Sequence, residues 1–123
     1  MGHKTMTNLI TETINPKQAV LFFCGGINEI AQQFITMLDY CRKRHMHVIE
    51  FFFDTSNIPN YEKKCYNNLL DFIEHISTKT AVVFYDNKSF HKYANTDDFL
   101  HFTTTKKIEL HLAKNRIILS NRE

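Results

Sequence analysis

The chain has 123 residues, 43% of them hydrophobic and 13% aromatic, which is enough for the core of one domain and excludes a disordered chain. A net charge of +2 permits contact with nucleic acid but is well below that of a dedicated nucleic-acid-binding protein. Three widely spaced cysteines without a CxxC pair argue against a disulfide framework or a zinc site and favour buried, reduced thiols.

The polar N-terminal segment is predicted to be a flexible arm over residues 1–17, followed by one domain over residues 18–123. The segment has no apolar signal-peptide core, and no part of the sequence approaches the roughly 20 apolar residues of a membrane span. Together with reduced cysteines, these features predict a cytoplasmic protein without a membrane partner. The seven histidines form no ligand set in the sequence, so neither a metal nor a cofactor is expected.

The first half of the domain is predicted to contain a strand, a helix and a second strand. Ala19–Cys24 is a continuous apolar run of strand length, which predicts a strand buried on both faces. Apolar residues then recur at spacings of three and four from Ile27 to Cys41, as on one face of a helix, and basic residues 42–44 suit a helix C-terminus. Val48–Phe53 predicts a second strand, which ends at Asp54.

The second half continues the alternation of helices and strands. In chain order we expect an amphipathic helix from Tyr66 to Ile76, a third buried strand over Ala81–Tyr85, a polar loop over residues 86–98, a short helix around Asp97–Thr104, a fourth strand over Ile108–Leu112 and an edge strand over Arg116–Leu119. This order predicts an α/β fold with three layers, in which a mostly parallel sheet of four to five strands carries helices on both faces.

Ligands of such sheets bind at the carboxyl ends of the strands. The first of these ends, residues 24–26, is either a tight turn or a phosphate cradle, although GxGxxG and GxxxxGK[ST] are both absent. Asp54, at the second end, could accept a phosphoryl group, but the first strand ends without the acidic residues that would hold magnesium. After the third strand, Lys88 and Lys92 either bind an anion or belong to a solvated loop.

The frame of these elements resembles the catalytic domain of serine recombinases, the resolvase and invertase family. The matching segments are "AVLFFCGG" at the first strand and nucleophile turn, "QFITMLDYC" at the first helix, with Gln33 at the family's Gln, "VIEFFFDTSN" with Asp54 at the family's Asp, "KCYNNLLDFI" at the second helix, "AVVFY" at the third strand and "KKIELHLAKNRIIL" at the last strands. The resemblance implies a resolvase-like domain over residues 18–123, ending before the family's long dimerisation helix.

The residues that carry the family's chemistry are missing from this chain. That chemistry is attack of a serine hydroxyl on a DNA phosphodiester, with arginines gripping the phosphate oxygens. The degenerate positions are Cys24 at the family's Arg, Gly26 at its Ser, Lys63 or Lys64 at the Arg that leads the second helix, and Lys88, Ser89 and Lys92 within the Asp-Arg-x-x-Arg motif. No Ser or Thr lies between Cys24 and Thr36, and no Arg lies between Arg44 and Arg116.

Three functional hypotheses remain open at this point. The first is a catalytically inactive recombinase-like domain whose lysines Lys63, Lys64, Lys88 and Lys92 contact DNA phosphates weakly; its partners would be DNA, an intact recombinase or a second copy of the chain. The second is an enzyme with Cys24 as its nucleophile. The third is a small-molecule-binding domain with a Rossmann-like or flavodoxin-like sheet. A strand order of 2-1-3-4 with an antiparallel edge strand favours the first, and a ligand at Gly25-Gly26 favours the third.

Overall fold

The computed structural model of the protein describes residues 16–55, 59–76, 79–102 and 108–119, with the backbone alone for residues 59–63 and 102. The predicted arm lies almost entirely outside the described residues, as does the end of the short helix predicted near Thr104. The elements, in chain order, are β1 (Gln18–Cys24), α1 (Ile27–Lys43), β2 (His47–Asp54), α2 (Pro59–Glu74), β3 (Thr80–Phe84), α3 (Asn87–His91), α4 (Thr96–Phe102), β4 (Ile108–Leu112) and β5 (Ile117–Leu119).

The strands form a mostly parallel sheet in the order β2-β1-β3-β4-β5. β1 lies between β2 and β3 and is parallel to both, β4 continues the parallel arrangement, and β5 pairs antiparallel with β4 at the edge. The predicted α/β class and the mostly parallel sheet are thus confirmed. The antiparallel strand is the one that the sequence predicts as an edge strand, although it begins at Ile117 because Arg116 belongs to the preceding turn.

Helices cover both faces of the sheet because β1 and β3 are apolar on both sides. Val20 and Phe22 point into a core that includes Leu69 of α2, Phe90 of α3 and Leu100 of α4. The alternate residues of β1, such as Leu21 and Phe23, pack against α1 through Met37, Tyr40 and Cys41. The buried run Ala19–Cys24 that the sequence predicts is confirmed, and this doubly packed strand positions the turn that follows it.

The loop predicted over residues 86–98 contains a helical turn, α3, which corrects that part of the sequence prediction. The Asp86 side chain caps it by accepting a hydrogen bond from the Ser89 amide at 2.8 Å, and the fully buried Phe90 anchors it on the core. Five residues are too few to show helical periodicity in a sequence. The turn matters for function because it fixes Lys88 and Ser89 relative to the end of β3.

A buried polar chain links α1 to β4 on the face of the sheet that α1 covers. The Tyr40 hydroxyl lies 2.6 Å from Nδ1 of His111, and Nε2 of the same ring lies 2.9 Å from Oε1 of Glu109. In the tautomer that carries its proton on Nε2, Nε2–H donates to Glu109 and Nδ1 accepts from the tyrosine O–H. A neutral imidazole therefore satisfies both partners, and His111 is the hydrogen-bonded structural histidine that its alternating position in β4 suggests.

Burial lowers the pKa of His111, which predicts a pH-dependent stability. Below its ordinary pKa of about 6.5 the unfolded chain binds a proton that the folded chain does not, so the free energy of unfolding should fall as the pH drops below that value. For one proton the slope is at most about 1.4 kcal/mol per pH unit. Urea unfolding of wild type and His111→Gln between pH 7.5 and 5 should show a shallower acid-side loss in the variant, whereas the exposed-site control His101→Gln should follow wild type.

Candidate functional site

The carboxyl ends of β1 and β3 border a cavity of about 530 Å³ between the N-terminal half of α1 and α3. Six of the residues singled out in the sequence line this cavity: Cys24, Gly25, Gln33, Lys88, Ser89 and Lys92. They share it with other polar residues of α1, Asn28, Glu29 and Gln32, and with Asp86 at the start of α3. The structure thus brings together residues that are more than 60 positions apart in the chain, and we call this space the β1–β3 cavity.

The turn after β1 has three consecutive main-chain amides that are hydrogen-bonded within the protein. Cys24 N–H donates to Gln33 Oε1 at 3.1 Å, Gly25 N–H to the Asp54 carbonyl oxygen at 3.1 Å, and Gly26 N–H to Glu29 Oε1 at 2.7 Å. A phosphate cradle needs such amides as open donors. The Glu29 carboxylate also occupies the N-terminus of α1, where its negative charge suits the helix dipole. These contacts argue against the phosphate cradle that Gly25-Gly26 suggests.

The two glycines of the turn differ in what the backbone requires of them. Gly25 has φ +122°, which L side chains rarely adopt, and a Cβ there would collide with the Glu29 carboxylate. Gly26 is the N-cap of α1 with φ −75° and ψ 171°, and a Cβ there would lie 3.7 Å from Glu29 Oε1. Gly25 is therefore required by the turn, whereas Gly26, which aligns with the family's nucleophile, has room for a side chain.

Gln33 fixes the end of β1 to α1 through both halves of its amide. Besides accepting from the Cys24 amide, it donates through Nε2 to the Cys24 carbonyl oxygen at 2.7 Å, and its side chain is buried. The resemblance singles out Gln33 by alignment alone. The two hydrogen bonds from its side-chain amide to the main chain of Cys24 depend on tertiary geometry, which the sequence does not display. Its role in this chain is to hold the strand end in place.

Cys24 is a poor nucleophile in this environment. The residue is 6% exposed, and burial, the largest influence, raises the pKa of its thiol. Hydrogen bonding from Tyr93 and Ser89 and the charge of Lys92 act in the opposite direction without reversing the shift. The thiol therefore stays protonated at neutral pH, which argues against a cysteine-dependent enzyme.

Asp54 is held inside the protein rather than offered to a phosphate donor. It is 1% exposed, and its Oδ2 accepts a hydrogen bond from the Tyr93 hydroxyl at 2.7 Å. Burial and this carboxylate raise the pKa of Tyr93 far above its ordinary value, so the tyrosine keeps its proton and remains the donor. Asp54 thus anchors the segment after α3 to the end of β2.

The candidate lysines fall into two groups. Lys88 and Lys92 are exposed, lie four positions apart at α3 and line the β1–β3 cavity. Lys64 is exposed on α2 and is not among the described residues that line this cavity. The Lys63 side chain lies outside the part of the chain that the structure describes. The structure therefore juxtaposes two of the four predicted phosphate contacts.

Among the described residues, no group of three or more His, Cys, Asp or Glu side chains could hold a metal ion. None of the described helices is both long enough and apolar enough to cross a membrane. Comparison with protein-family models, with curated protein sequences and with solved structures finds no significant match to the chain. Functional inference therefore proceeds from the geometry of the described residues.

The turn geometry predicts opposite outcomes for serine at two adjacent positions. Gly25→Ser should lower the free energy of unfolding by about 1–3 kcal/mol, because it forces a side chain into a φ region that disfavours it and against Glu29. Gly26→Ser should stay within about 0.5 kcal/mol of wild type, since serine is at least as good an N-cap as glycine. Urea denaturation of both variants measures this, and equal destabilisation of the two would contradict the assigned turn.

Thiol labelling should separate the three cysteines by burial and pKa. Cys41 is 1% exposed with its pKa raised to about 12, Cys24 is 6% exposed, and Cys65 is half-buried with Sγ 3.2 Å from the Phe53 carbonyl oxygen. We expect the order Cys65, Cys24, Cys41 from fastest to slowest in the native protein, read by mass spectrometry after timed alkylation. Rapid modification of Cys24 at neutral pH would restore the cysteine-enzyme hypothesis.

Proposed function

We propose that this chain is a resolvase-like domain that no longer cuts DNA and binds the DNA phosphate backbone at the β1–β3 cavity. The observation that carries the proposal is the composition of that cavity. It contains the protonated thiol of Cys24 at a position that the resemblance assigns to an arginine, and the exposed Lys88 and Lys92 within the segment that it assigns to the Asp-Arg-x-x-Arg motif. Beside the cavity, the glycine N-cap of α1, Gly26, stands at the position that the resemblance assigns to the nucleophile. The strand order β2-β1-β3-β4 with an antiparallel edge strand also supports it, although flavodoxin-like domains share the first part of this order.

Strand cleavage by another residue of the cavity has little support. Two hydroxyls are among the described lining residues, those of Ser89 and Tyr85, and the Ser89 side chain is a partner of the Cys24 thiol. The two carboxylates that line the cavity, Glu29 and Asp86, each accept a hydrogen bond from a main-chain amide. A serine nucleophile needs a base within hydrogen-bond reach, and no histidine is among the described lining residues.

A small-molecule site is the second candidate, favoured by the cavity volume of about 530 Å³, which lies in the range of ligand pockets. Most of its lining residues have polar side chains, and the amides that would hold a phosphate are already bonded to Gln33, Asp54 and Glu29. The exposed ammonium groups of Lys88 and Lys92 suit an extended polyanion better than an enclosed ligand, because they contribute charge from the rim rather than converging donors.

DNA binding should therefore be weak, independent of sequence and strongly dependent on salt. Each neutralised phosphate contributes about 0.9 to the slope of log K against log salt, so Lys88→Gln/Lys92→Gln should flatten the slope by about two units. Fluorescence anisotropy of a labelled duplex over a salt series measures the slope. Thermal stability should hardly change, because exposed charges contribute little to folding.

The matched control is Lys17→Gln/Lys79→Gln, which removes the same charge at the opposite edge of the sheet. Both residues are exposed and directly precede β1 and β3, whose first residues pair with each other. The control should keep the wild-type slope. Equal slopes for the two double variants, or no wild-type binding at low salt, would refute a phosphate contact at the cavity.

Supercoiled plasmid incubated with the protein and treated with detergent should carry no protein-linked nick, and a serine-linked 5′ phosphate would refute the loss of cleavage.

A further inference from the structure

A second cavity, of about 720 Å³, lies between the C-terminal half of α1 and the β4–β5 turn. Its charged lining consists of four cations and one carboxylate: Lys43, Arg44, Lys114, Arg116 and Asp39. The cations come from both walls, two from the end of α1 and two from the turn. We call this space the α1–β5 groove, and its excess of positive charge is not visible in a sequence whose net charge is only +2.

Neighbouring side chains hold the groove cations in place. The Arg44 guanidinium lies 4.9 Å from the centre of the Tyr40 ring, and Lys114 Nζ lies 5.5 Å from that of Tyr85. The carboxylate of Asp39 is taken by Lys43 at 3.1 Å and by Arg42 at 2.7 Å. Arg44, Lys114 and Arg116 form no salt bridge with any carboxylate of the described residues, so their charges remain available to an anionic ligand.

Arg116 occupies a backbone conformation that favours another residue. Its φ is +56°, in the left-handed region where glycine and asparagine are preferred, and its side chain is exposed in the groove. A structural role does not account for an arginine here, because an exposed side chain adds little to folding while the backbone disfavours it. The helix dipole explains basic residues at the end of α1, but it does not explain those of the turn on the opposite wall.

The groove adjoins the β1–β3 cavity just after the end of β3. Tyr85 lines both spaces. A third cavity, of about 400 Å³, is lined by Lys114 together with Lys88, His91 and Asp86. Cations therefore follow one another from the end of α1, across the β4–β5 turn, to α3. Cations distributed along a band match a linear polyanion, whereas a compact anion needs donors that converge on one point.

We infer that the α1–β5 groove is a second binding site for the phosphate backbone of nucleic acid. The backbone would follow a path from Arg44 and Arg116 past Lys114 to the lysines of α3. The charged residues of the groove are different from those of the β1–β3 cavity. The inference rests on the proposed function only for the class of ligand, nucleic acid. Phosphate contacts in the groove add to those of Lys88 and Lys92. The slope of log K against log salt for the wild type therefore contains contributions from both the groove and the β1–β3 cavity.

The test compares wild type with three double variants by anisotropy of a short labelled duplex over a salt series. The groove variant is Lys114→Gln/Arg116→Gln, the cavity variant is Lys88→Gln/Lys92→Gln, and the amino-edge control is Lys17→Gln/Lys79→Gln. The groove variant should flatten the slope by about two units, since each lost phosphate contact removes about one. Combining the groove and cavity variants should add their effects, and the control should match wild type.

Each outcome separates the inference from the proposed function. A flattened slope in the groove variant alone supports the groove and refutes the phosphate contact at the cavity. A flattened slope in the cavity variant alone overturns the groove assignment and leaves the proposed function standing. Wild-type slopes in both variants overturn both. Binding of wild type to phosphatidylserine vesicles but not to DNA would replace nucleic acid by a membrane surface as the ligand.

Arg116→Gly guards against a loss of binding caused by misfolding. Glycine removes the charge and also relieves the left-handed backbone, so the melting temperature should stay the same or rise while the salt slope falls by about one unit. A variant that is at least as stable and binds DNA less well shows that the arginine serves the ligand. An unchanged slope in a folded Arg116→Gly protein would refute the groove contact at this residue.

Discussion

The organisation of the candidate site depends on the pair of hydrogen bonds between the Gln33 side chain and the main chain of Cys24. The bonds, 3.1 and 2.7 Å long, join the end of the central strand to the helix that follows it, and the glutamine is buried. With both Cys24 groups satisfied, the adjacent amides of Gly25 and Gly26 bond to Asp54 and Glu29. A turn closed in this way leaves none of these three amides unsatisfied, so it needs no ligand to be stable.

The core and the site are separable because different parts of the same elements build them. The interior of β1 packs on both faces, with Phe22 against the Phe84 and Tyr93 rings on one side and Phe23 in an aromatic cluster on the other. Cys24, at the end of β1, still belongs to this core, but Lys88 and Lys92, beyond the end of β3, are exposed and do not. Substitutions there change charge and chemistry while the transfer of apolar surface from water, the main stabilising contribution, is kept.

Much of the fold could be predicted from the sequence, because long apolar runs and helical periodicity report burial directly. Ala19–Cys24 and Ala81–Tyr85 read as buried strands since every residue in each run is apolar, and the structure agrees to within one residue. The α3 turn could not be predicted, because its signals are a single cap at Asp86 and a single anchor at Phe90.

For the site, Cys24, Lys88, Ser89 and Lys92 could be proposed from strand ends and alignment, but the closure of the turn could not, since it depends on side-chain contacts between separate elements. The α1–β5 groove was missed because its two walls are about 70 residues apart in sequence.

The charge distribution explains how a chain of nearly balanced charge can present a basic surface. Screening at physiological salt acts over about 8 Å, so a polyanion responds to the cations along its path and not to the net charge of the whole protein. The carboxylates near this path are engaged within the protein, Asp39 by Arg42 and Lys43, Glu29 by the Gly26 amide and Asp86 by the Ser89 amide. Among these carboxylates only Asp39 is paired with cations, since a hydrogen bond from an amide leaves the charge of a carboxylate unchanged. The basic character along the path therefore comes from the number of cations that α1, α3 and the β4–β5 turn contribute. Most of them are lysines, which act as point charges without the bidentate geometry that arginine gives to a phosphate, and this combination suits retention of DNA better than stabilisation of a transition state.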